Sequence, residues 1–388
     1  MSVYDVIDVI MWKPHWEKKI YNENIIKRWK KECTLKLTST AAFETSIFIL
    51  KSMINRKIKE KLNFDDLNNF TTIKDNNIPI ELKTNFINNV KKLEDLPCDY
   101  HPGSNDQVID LVHPSLYCYL KGTTLFNNGS LEHPTINLNM MGTYHWLPSL
   151  FQINNNKTKI QSYINNLDAT TYAELYLNIA NIFDYFIDPF EKIIGMKLPE
   201  NCQVITKLAN IVLTPEKPDY KEGKWHIEGI PEENIIATGI YYYDIENITT
   251  SHLEFRRALQ RPTNYRQDDD LGVKRMYGVQ DEQILNQNIG KIETIQDRCI
   301  VFPNYIQHRV DSFSLLDKTK NGHRKILVFF LVNPKIKIIS TEDIPPQHKY
   351  ISIDQAKDNR IKLMELRKKF MNEINENVFE QEFSLCEH

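Results

Sequence analysis

Residues 225–229 read Trp-His-Ile-Glu-Gly and lie among short runs of β-forming residues. In an extended strand, successive side chains point to opposite faces, so His226 and Glu228 point the same way. An imidazole and a carboxylate on one face supply two of the three protein ligands of a facial metal site. Because a His-x-Glu sequence also arises by chance, as a surface histidine beside an acid, this pair indicates a metal site only if a third ligand exists.

A third ligand is available at His308, which follows the apolar run 300–303 and comes 82 residues after His226. Two histidines and one carboxylate with open positions are typical of non-haem iron(II) oxygenases. Three protein ligands on one side of an iron(II) ion leave the opposite side free for a chelating cosubstrate and O2. The sequence therefore predicts that His226, Glu228 and His308 hold iron and carry the catalysis.

Arg324 begins the very apolar run 326–332 and shares a strand face with Ile326, Val328 and Phe330. A guanidinium on an inward face needs an anionic partner. Arginine binds a carboxylate through two parallel hydrogen bonds, which suits the distal carboxylate of 2-oxoglutarate. A solvent-exposed start of the strand is the alternative, and it suits the flanking His323 and Lys325.

The secondary structure that the residue pattern predicts changes near residue 200 and again near residue 350. Residues 1–200 read mainly as helix and loop, and residues 201–350 read as short strands separated by proline and glycine turns. Such strands predict an antiparallel sandwich or barrel. Residues 351–388 are expected to form a helix and a tail, because Ser352 and Gln355 have capping-box spacing.

Two further segments leave alternatives open. Residues 40–62 have apolar positions three or four apart and a basic end at 56–61, as expected of an amphipathic helix. The polar segment 253–297 is longer than an ordinary loop, so it is either a lid over the site or a plain surface insertion.

Composition limits the partners and the compartment. The chain has 388 residues, 26% of them charged, and a formal net charge of -3, so no attraction to nucleic acid or to anionic membranes is expected. We find no membrane-spanning run and no signal peptide. Six scattered cysteines without CxxC spacing indicate reduced thiols, as in the cytoplasm or the nucleus.

Several long stretches resemble a eukaryotic, largely fungal family known only as a domain of unknown function. The resemblance covers roughly residues 95–350. It is carried by DLVHPSLYC at 110–118, VITKLANIVLTP at 204–215, WHIEGIPEENIIATGIYYYD at 225–244, the run 301–310, and GHRKILVFFLVNPKIKIISTEDIPP at 322–346.

That family is itself similar to the 2-oxoglutarate- and Fe(II)-dependent oxygenases. The resemblance implies an α+β protein with a double-stranded β-helix (jelly-roll) core, a helical N-terminal region and a C-terminal helix. It implies Fe(II), 2-oxoglutarate and O2 as cofactors, metal ligands at His226, Glu228 and His308, and a cosubstrate arginine at Arg324. Many members of the superfamily carry aspartate where this chain has Glu228.

Two more residues are assigned to the cosubstrate pocket. Lys207 alternates with apolar residues on a strand, so it either faces the pocket and assists the cosubstrate carboxylate or faces solvent. Of the tyrosines at 241–243 at least one should face inward, and we assign Tyr241 to the cosubstrate. The substrate is a small molecule or a peptide. Two alternatives are a non-catalytic barrel that binds a metal or a small acid, and a protein-modifying oxygenase of the histone-demethylase type.

Overall fold

The computed structural model describes residues 3–11, 13–34, 43–48, 50–51, 67–136, 143–263, 265 and 268–385. The chain divides into two compact units. One contains residues 1–66, 262–281 and 385–388, and the other contains residues 67–261 and 282–384.

The described residues form both helices and strands, which confirms that the protein mixes the two. The helices are α1 (Val3–Met11), α2 (Trp16–Lys19), α3 (Glu23–Thr34), α4 (Ile80–Glu94), α5 (Ala173–Phe183), α6 (Ile187–Ile194), α7 (Asp270–Tyr277) and α8 (Ile353–Ile374). The strands are β1 (Thr72–Asp75), β2 (Val108–Val112), β3 (Tyr119–Leu120), β4 (Tyr144–His145), β5 (Ser149–Asn154), β6 (Lys157–Ile160), β7 (Asn201–Leu213), β8 (Asp219–Tyr220), β9 (Ile235–Glu246), β10 (His252–Ala258), β11 (Gln283–Ile284), β12 (Asn286–Glu293), β13 (Arg298–Pro303), β14 (Gln307–Val310), β15 (Phe313–Ser314), β16 (Gly322–Val332) and β17 (Glu382–Phe383).

The smaller unit contains α1, α2, α3 and α7. Its core buries one apolar face of each N-terminal segment, for example Ile10, Trp16, Trp29 and Leu50. Residues 43–48, 50 and 51 are helical, within the amphipathic helix predicted at 40–62. The basic end of that predicted helix lies outside the described residues.

A curled antiparallel sheet forms the centre of the larger unit, with strand order β1-β13-β9-β16-β7-β5-β6 and with β2 also paired to β7. One of its faces packs on α5 and α6, where Phe183 and Phe186 contact Phe329 edge-on at 5.1 and 5.3 Å. Gly239 lies under these helices, and a Cβ there would come within 2.7 Å of Phe186. Side chains such as Ile205, Val328 and Phe330 point to the opposite face. We call this opposite face of the large sheet the inner face.

A second, three-stranded sheet has the order β12-β10-β14. Its central strand pairs Phe255 with His308, so the predicted third ligand is held within regular pairing. The helix α8 begins after Ser352, and both hydrogen bonds of the expected capping box are formed with Gln355. Its Leu363 packs in the same apolar cluster as Phe255.

Two segments differ from the expected texture. The strands β1 to β6 all precede residue 200, where the sequence predicts mainly helix and loop, because short strands such as β6 carry too few apolar residues to reveal themselves. The segment 253–297 contains most of β10 and all of β12, which belong to the second sheet, and its residues 262–281 belong to the smaller unit. The lid and the surface insertion stay alternative predictions for the part between these strands.

No helix among the described residues is long and apolar enough to cross a membrane. Within the same residues, the cysteines at positions 33, 98, 118, 202 and 299 are free thiols.

Candidate metal centre

The site is built on a backbone pairing between two distant segments. His226 and His308 form an isolated antiparallel bridge, with N–H to O distances of 3.2 and 3.0 Å in the two directions. Side chains of directly paired residues lie on the same side of a sheet. The two imidazole rings accordingly lie 4.3 Å apart between centroids. A local pairing therefore explains how residues 82 positions apart come together.

Glu228 is held in place by Asn304. The Asn304 Oδ1 atom accepts the N–H of Glu228 at 2.8 Å, and its Nδ2 donates to the carbonyls of Glu228 and Ile235 at 2.8 and 3.0 Å. The amide side chain thus fixes both ends of the Glu228 backbone unit, and it ties that unit to the start of β9.

The three side chains converge on one point. The Oε1 atom of Glu228 lies 3.2 Å from Nε2 of His308 and 3.7 Å from Nε2 of His226. One donor atom from each residue lies within 4.8 Å of the other two. This is the set of two histidines and one carboxylate that the sequence predicts, and it suits a single metal ion.

The surroundings fix the orientation of both rings. Nδ1 of His226 donates to the Lys224 carbonyl at 2.7 Å, so its Nε2 lone pair is free to face a metal. His308 is buried, and the rings of Phe302 and Phe255 lie 4.8 and 6.4 Å from its ring. Nδ1 of His308 has no hydrogen-bond partner among the described residues, so aromatic packing orients this ring.

Burial and mutual contact set the charges of the three groups. Burial raises the pKa of Glu228, but hydrogen bonds from His226 and His308 outweigh this effect, so its pKa lies well below the ordinary value. Burial and the charge of His226 lower the pKa of His308 to about 4. Burial lowers the pKa of His226, but the Glu228 carboxylate outweighs it and raises that pKa. An ionised carboxylate and a neutral imidazole are the forms that bind metals.

Arg324 lies on the inner face, as its alternation with Val328 predicts. Its side chain is only 2% exposed, and its Nε and Nη1 atoms are buried without a hydrogen-bond partner among the described residues. The guanidinium lies 5.2 Å from the ring of Phe313 and 5.6 Å from that of Tyr242. The apolar cluster around Phe313 shares Val310 with the cluster around His308. Arg324 is therefore a buried cation without an anionic partner among the described residues.

Lys207 also lies on the inner face, opposite Val328. Its ammonium is close enough to interact electrostatically with His226 and His308. Tyr241 is elsewhere: it packs in the apolar cluster on the other face, and its hydroxyl donates to Asp297 at 3.1 Å. The assignment of Tyr241 to the cosubstrate is therefore corrected, and Tyr242 is the tyrosine on the side of Arg324.

A second group, His101, Asp110 and His113, also brings its donor atoms within 4.8 Å of one another. The Nδ1 atom of His113 accepts the N–H of Ser115 at 3.1 Å, so Nε2 of the neutral ring carries the hydrogen and cannot bind a metal. The cationic Arg360 lies 3.7 Å from Asp110. This group does not fit a metal ion.

Asn304 is the functional residue that the sequence did not single out. The signal for it is weak, because an asparagine after a proline at the end of a strand reads as an ordinary turn residue. Its role depends on the approach of residue 228, which only the tertiary structure shows.

A family model described as "Protein of unknown function (DUF4246)" matches residues 50–202 and 197–355 of the chain. No curated protein is similar in sequence.

The chain is similar to several solved structures at low identity. One is "Selenomethionine labeled Fe(II)/(alpha)ketoglutarate-dependent dioxygenase TqaL", at 11% identity over 74% of this chain and 93% of that one, with a TM-score of 0.38. Another is IDO from Bacillus thuringiensis, at 8% identity over 68% and 94%, with a TM-score of 0.36. A third is a Trichoplax adhaerens prolyl hydroxylase in complex with a hypoxia inducible factor peptide fragment, at 10% identity over 72% and 93%, with a TM-score of 0.31. At these scores we draw no function from the alignments.

Proposed function

The chain belongs to the DUF4246 family, and we propose that it is an oxygenase that depends on Fe(II) and 2-oxoglutarate. The overall reaction converts a substrate C–H bond, O2 and 2-oxoglutarate into C–OH, succinate and CO2. One observation carries this proposal: the described residues contain both a cluster of two histidines and one carboxylate and, on the inner face of the large sheet, a buried guanidinium with no hydrogen-bond partner among them at Nε and Nη1.

The proposed core is a double-stranded β-helix. One half would be the strands β7, β16, β9 and β13, which are neighbours in the large sheet. The other half would be β12, β10 and β14, extended by the segment at His226 through its bridge to His308. In this arrangement the ligands lie between the two halves.

The donor set fits iron(II). Two imidazole nitrogens and one carboxylate oxygen on one side leave the remaining positions open. When bound, the iron would supply the activation of O2 that protein side chains cannot provide. Asn304 fixes the position of Glu228, and the Lys224 carbonyl keeps the hydrogen of His226 on Nδ1. The aromatic rings around His308 exclude water from that side of the site.

Arg324 fits the distal carboxylate of 2-oxoglutarate. A carboxylate that accepts two parallel hydrogen bonds would satisfy the buried Nε and Nη1 atoms together. The flanking rings of Phe313 and Tyr242 shield that contact from solvent. Arg324 therefore binds and orients the cosubstrate, and it takes no part in proton transfer.

The proposed compartment is a reducing one, the cytoplasm or the nucleus, because the described cysteines are free thiols.

The test uses full-length protein prepared without oxygen and loaded with Fe(II). Bound iron is counted, binding of 2-oxoglutarate is measured by calorimetry, and succinate is measured after O2 is added with a panel of substrates. We expect bound iron, diacid binding and succinate, all of which His308→Ala abolishes. The control Lys325→Met, on the outer face, should keep all three.

Two outcomes overturn the proposal. If the protein retains no iron, the ligand assignment is wrong. If iron and 2-oxoglutarate bind but no succinate forms over the whole panel, the protein is a binding module instead.

A further inference from the structure

Three polar side chains outside the ligand set lie close to one another, namely Asp110, His113 and Lys207, and Lys207 also acts electrostatically on both histidines of the candidate metal centre. Asp110 on β2 pairs with Ala209 on β7, and Lys207 is two residues from Ala209 on the same face. A β-bulge follows Asp110 and carries the chain towards His113. Lys207 interacts electrostatically with both Asp110 and His113. The three groups therefore face one region of the inner face.

Asp110 presents one unused carboxylate oxygen to this region. Its side chain is only 1% exposed. Oδ2 pairs with Nδ1 of His101 at 2.8 Å and lies 3.7 Å from Arg360. Oδ1 is buried and has no partner among the described residues. Burial raises the pKa of Asp110, but the nearby histidines and Lys207 outweigh this and lower it, so the group is ionised. An unpaired buried carboxylate oxygen requires a cation or a strong donor.

Lys207 and His113 offer hydrogen-bond donors, whereas Asp110 offers an acceptor. Lys207 makes no hydrogen bond or ion pair with any described residue, although its charge acts on both histidines of the metal centre. Nδ1 of His113 accepts the N–H of Ser115, so its Nε2 carries the hydrogen and can donate. Burial lowers the pKa of His113 well below the ordinary value, which keeps the ring neutral. Together the two groups form a donor pair for an anion.

Lys207 and His113 are distinct from the guanidinium that would bind the distal carboxylate of the diacid. Arg324 pairs with Ile211, and Lys207 pairs with Val328, so the two cations lie four residues apart along the paired strands. Four residues of a β-strand correspond to about 13 Å. Lys207 acts on the metal-binding histidines from a different part of the inner face. A second molecule, the primary substrate, is the natural occupant there.

We propose, resting on the oxygenase function above, that the primary substrate is a small zwitterion of the α-amino-acid type. Its ammonium group binds Oδ1 of Asp110, and its carboxylate binds Lys207 and Nε2 of His113. A residue inside a peptide has neither free charge and does not satisfy this site.

The experiment uses full-length protein with Zn(II) in place of iron, so that no turnover occurs, and saturating 2-oxoglutarate. Calorimetry measures binding of the twenty standard L-amino acids, and then of the N-acetyl and carboxamide derivatives of the best binder. We expect each derivative to bind about ten- to hundred-fold more weakly, because each loses a charge-assisted contact.

Variants assign the two ends of the substrate. Asp110→Asn should weaken binding of the free amino acid and reduce the ratio between its affinity and that of the N-acetyl form. Lys207→Met should reduce the ratio between the affinity of the free amino acid and that of the carboxamide. Asp110→Asn should bind 2-oxoglutarate as the wild type does, which also shows that it is folded, and circular dichroism shows whether Lys207→Met is folded. The control Lys325→Met should bind the amino acid unchanged.

The outcomes separate the two proposals. If metal and 2-oxoglutarate bind but no amino acid does, or if the derivatives and peptides bind equally well, the zwitterion proposal is overturned and the oxygenase proposal stands. If neither metal nor 2-oxoglutarate binds, both are overturned.

Discussion

Replacing Arg324 with methionine should affect the free protein and its cosubstrate complex in opposite directions. In the free protein the guanidinium is buried, and its Nε and Nη1 atoms have no hydrogen-bond partner within the part of the chain that the structure describes. Desolvation of such a charge costs several kcal/mol, and the two neighbouring rings offset roughly 1–2 kcal/mol of it. We therefore expect Arg324→Met to leave the free energy of unfolding unchanged or to raise it by about 1–3 kcal/mol.

The affinity for 2-oxoglutarate, in contrast, should fall. The variant loses two hydrogen bonds to a carboxylate, each of which contributes about 1.5–3 kcal/mol. The Kd should therefore rise at least about 100-fold. Calorimetry on anaerobic, Fe(II)-loaded protein measures the affinity, and urea unfolding of the metal-free protein measures the stability. Iron content should stay the same, because Arg324 is not a ligand.

Lys325→Met is the matched control for this prediction. Lys325 lies one residue further on, on the outer face, and pairs with Glu94 at 3.1 Å and Asp244 at 3.2 Å. Its replacement should destabilise the protein and leave the affinity for 2-oxoglutarate unchanged. The reasoning is refuted if Arg324→Met binds 2-oxoglutarate as tightly as the wild type does.

Three further predictions concern other parts of the larger unit. Asn304→Leu should weaken metal binding about 10- to 100-fold, because Glu228 loses the side chain that fixes it; a Co(II) titration measures this, and unchanged affinity contradicts it. Gly322→Ala should lower the free energy of unfolding, measured with urea, by about 1–3 kcal/mol or more, because its Cβ would come within 2.4 Å of the Asn247 carbonyl oxygen. The control Gly223→Ala, whose Cβ would have its nearest atom at 3.5 Å, should leave that free energy unchanged. Burial lowers the pKa of His145 to about 4. As the pH falls, the unfolded chain therefore takes up a proton at this residue before the folded protein does. The contribution of His145 to the free energy of unfolding is then complete above about pH 6.5 and is lost as the pH falls towards 4. His145→Gln should therefore remove about 3 kcal/mol of the stability difference between those two pH values, and an unchanged pH profile contradicts this.

The donor set of His226, Glu228 and His308 could be predicted from residue types, but the extended strand expected at 225–229 does not form. His226 makes an isolated bridge, residues 228 and 229 form a bend, and Asn304 holds Glu228 in place. The bridge and the Asn304 contact are tertiary, so the sequence alone does not show them. Alternation along the regular strand β16 does assign Arg324 correctly to the side of Val328, because that rule acts within a few residues.

The tyrosines could not be assigned by the same rules. The side chains of three consecutive tyrosines on a strand alternate between its two faces. The short helical turn Pro231–Glu233 separates these tyrosines from Glu228, so the position of Glu228 does not tell which tyrosine faces inward. The pairing of Tyr242 with Ile326 decides which ring faces inward, and that pairing is tertiary.

The second sheet could not be predicted from the sequence, for a different reason. Arg256 and Arg257 give β10 a polar appearance, yet the strand pairs in continuous register with β14. The guanidinium of Arg256 lies 4.9 Å from the Trp225 ring and that of Arg309 lies 4.7 Å from it, so the charged heads are used in stacking. The support of His308 by Phe255 follows from this pairing, and hydropathy alone does not show it.

The central claim is that His226, Glu228 and His308 hold an iron ion to which 2-oxoglutarate binds. Its most direct test is an anaerobic titration of Fe(II)-loaded protein with 2-oxoglutarate, followed by visible absorption. We expect one iron per chain and a metal-to-ligand charge-transfer band that saturates with 2-oxoglutarate and is absent from His308→Ala. Iron that stays bound in His308→Ala, or a titration that produces no band in the wild type, contradicts the claim.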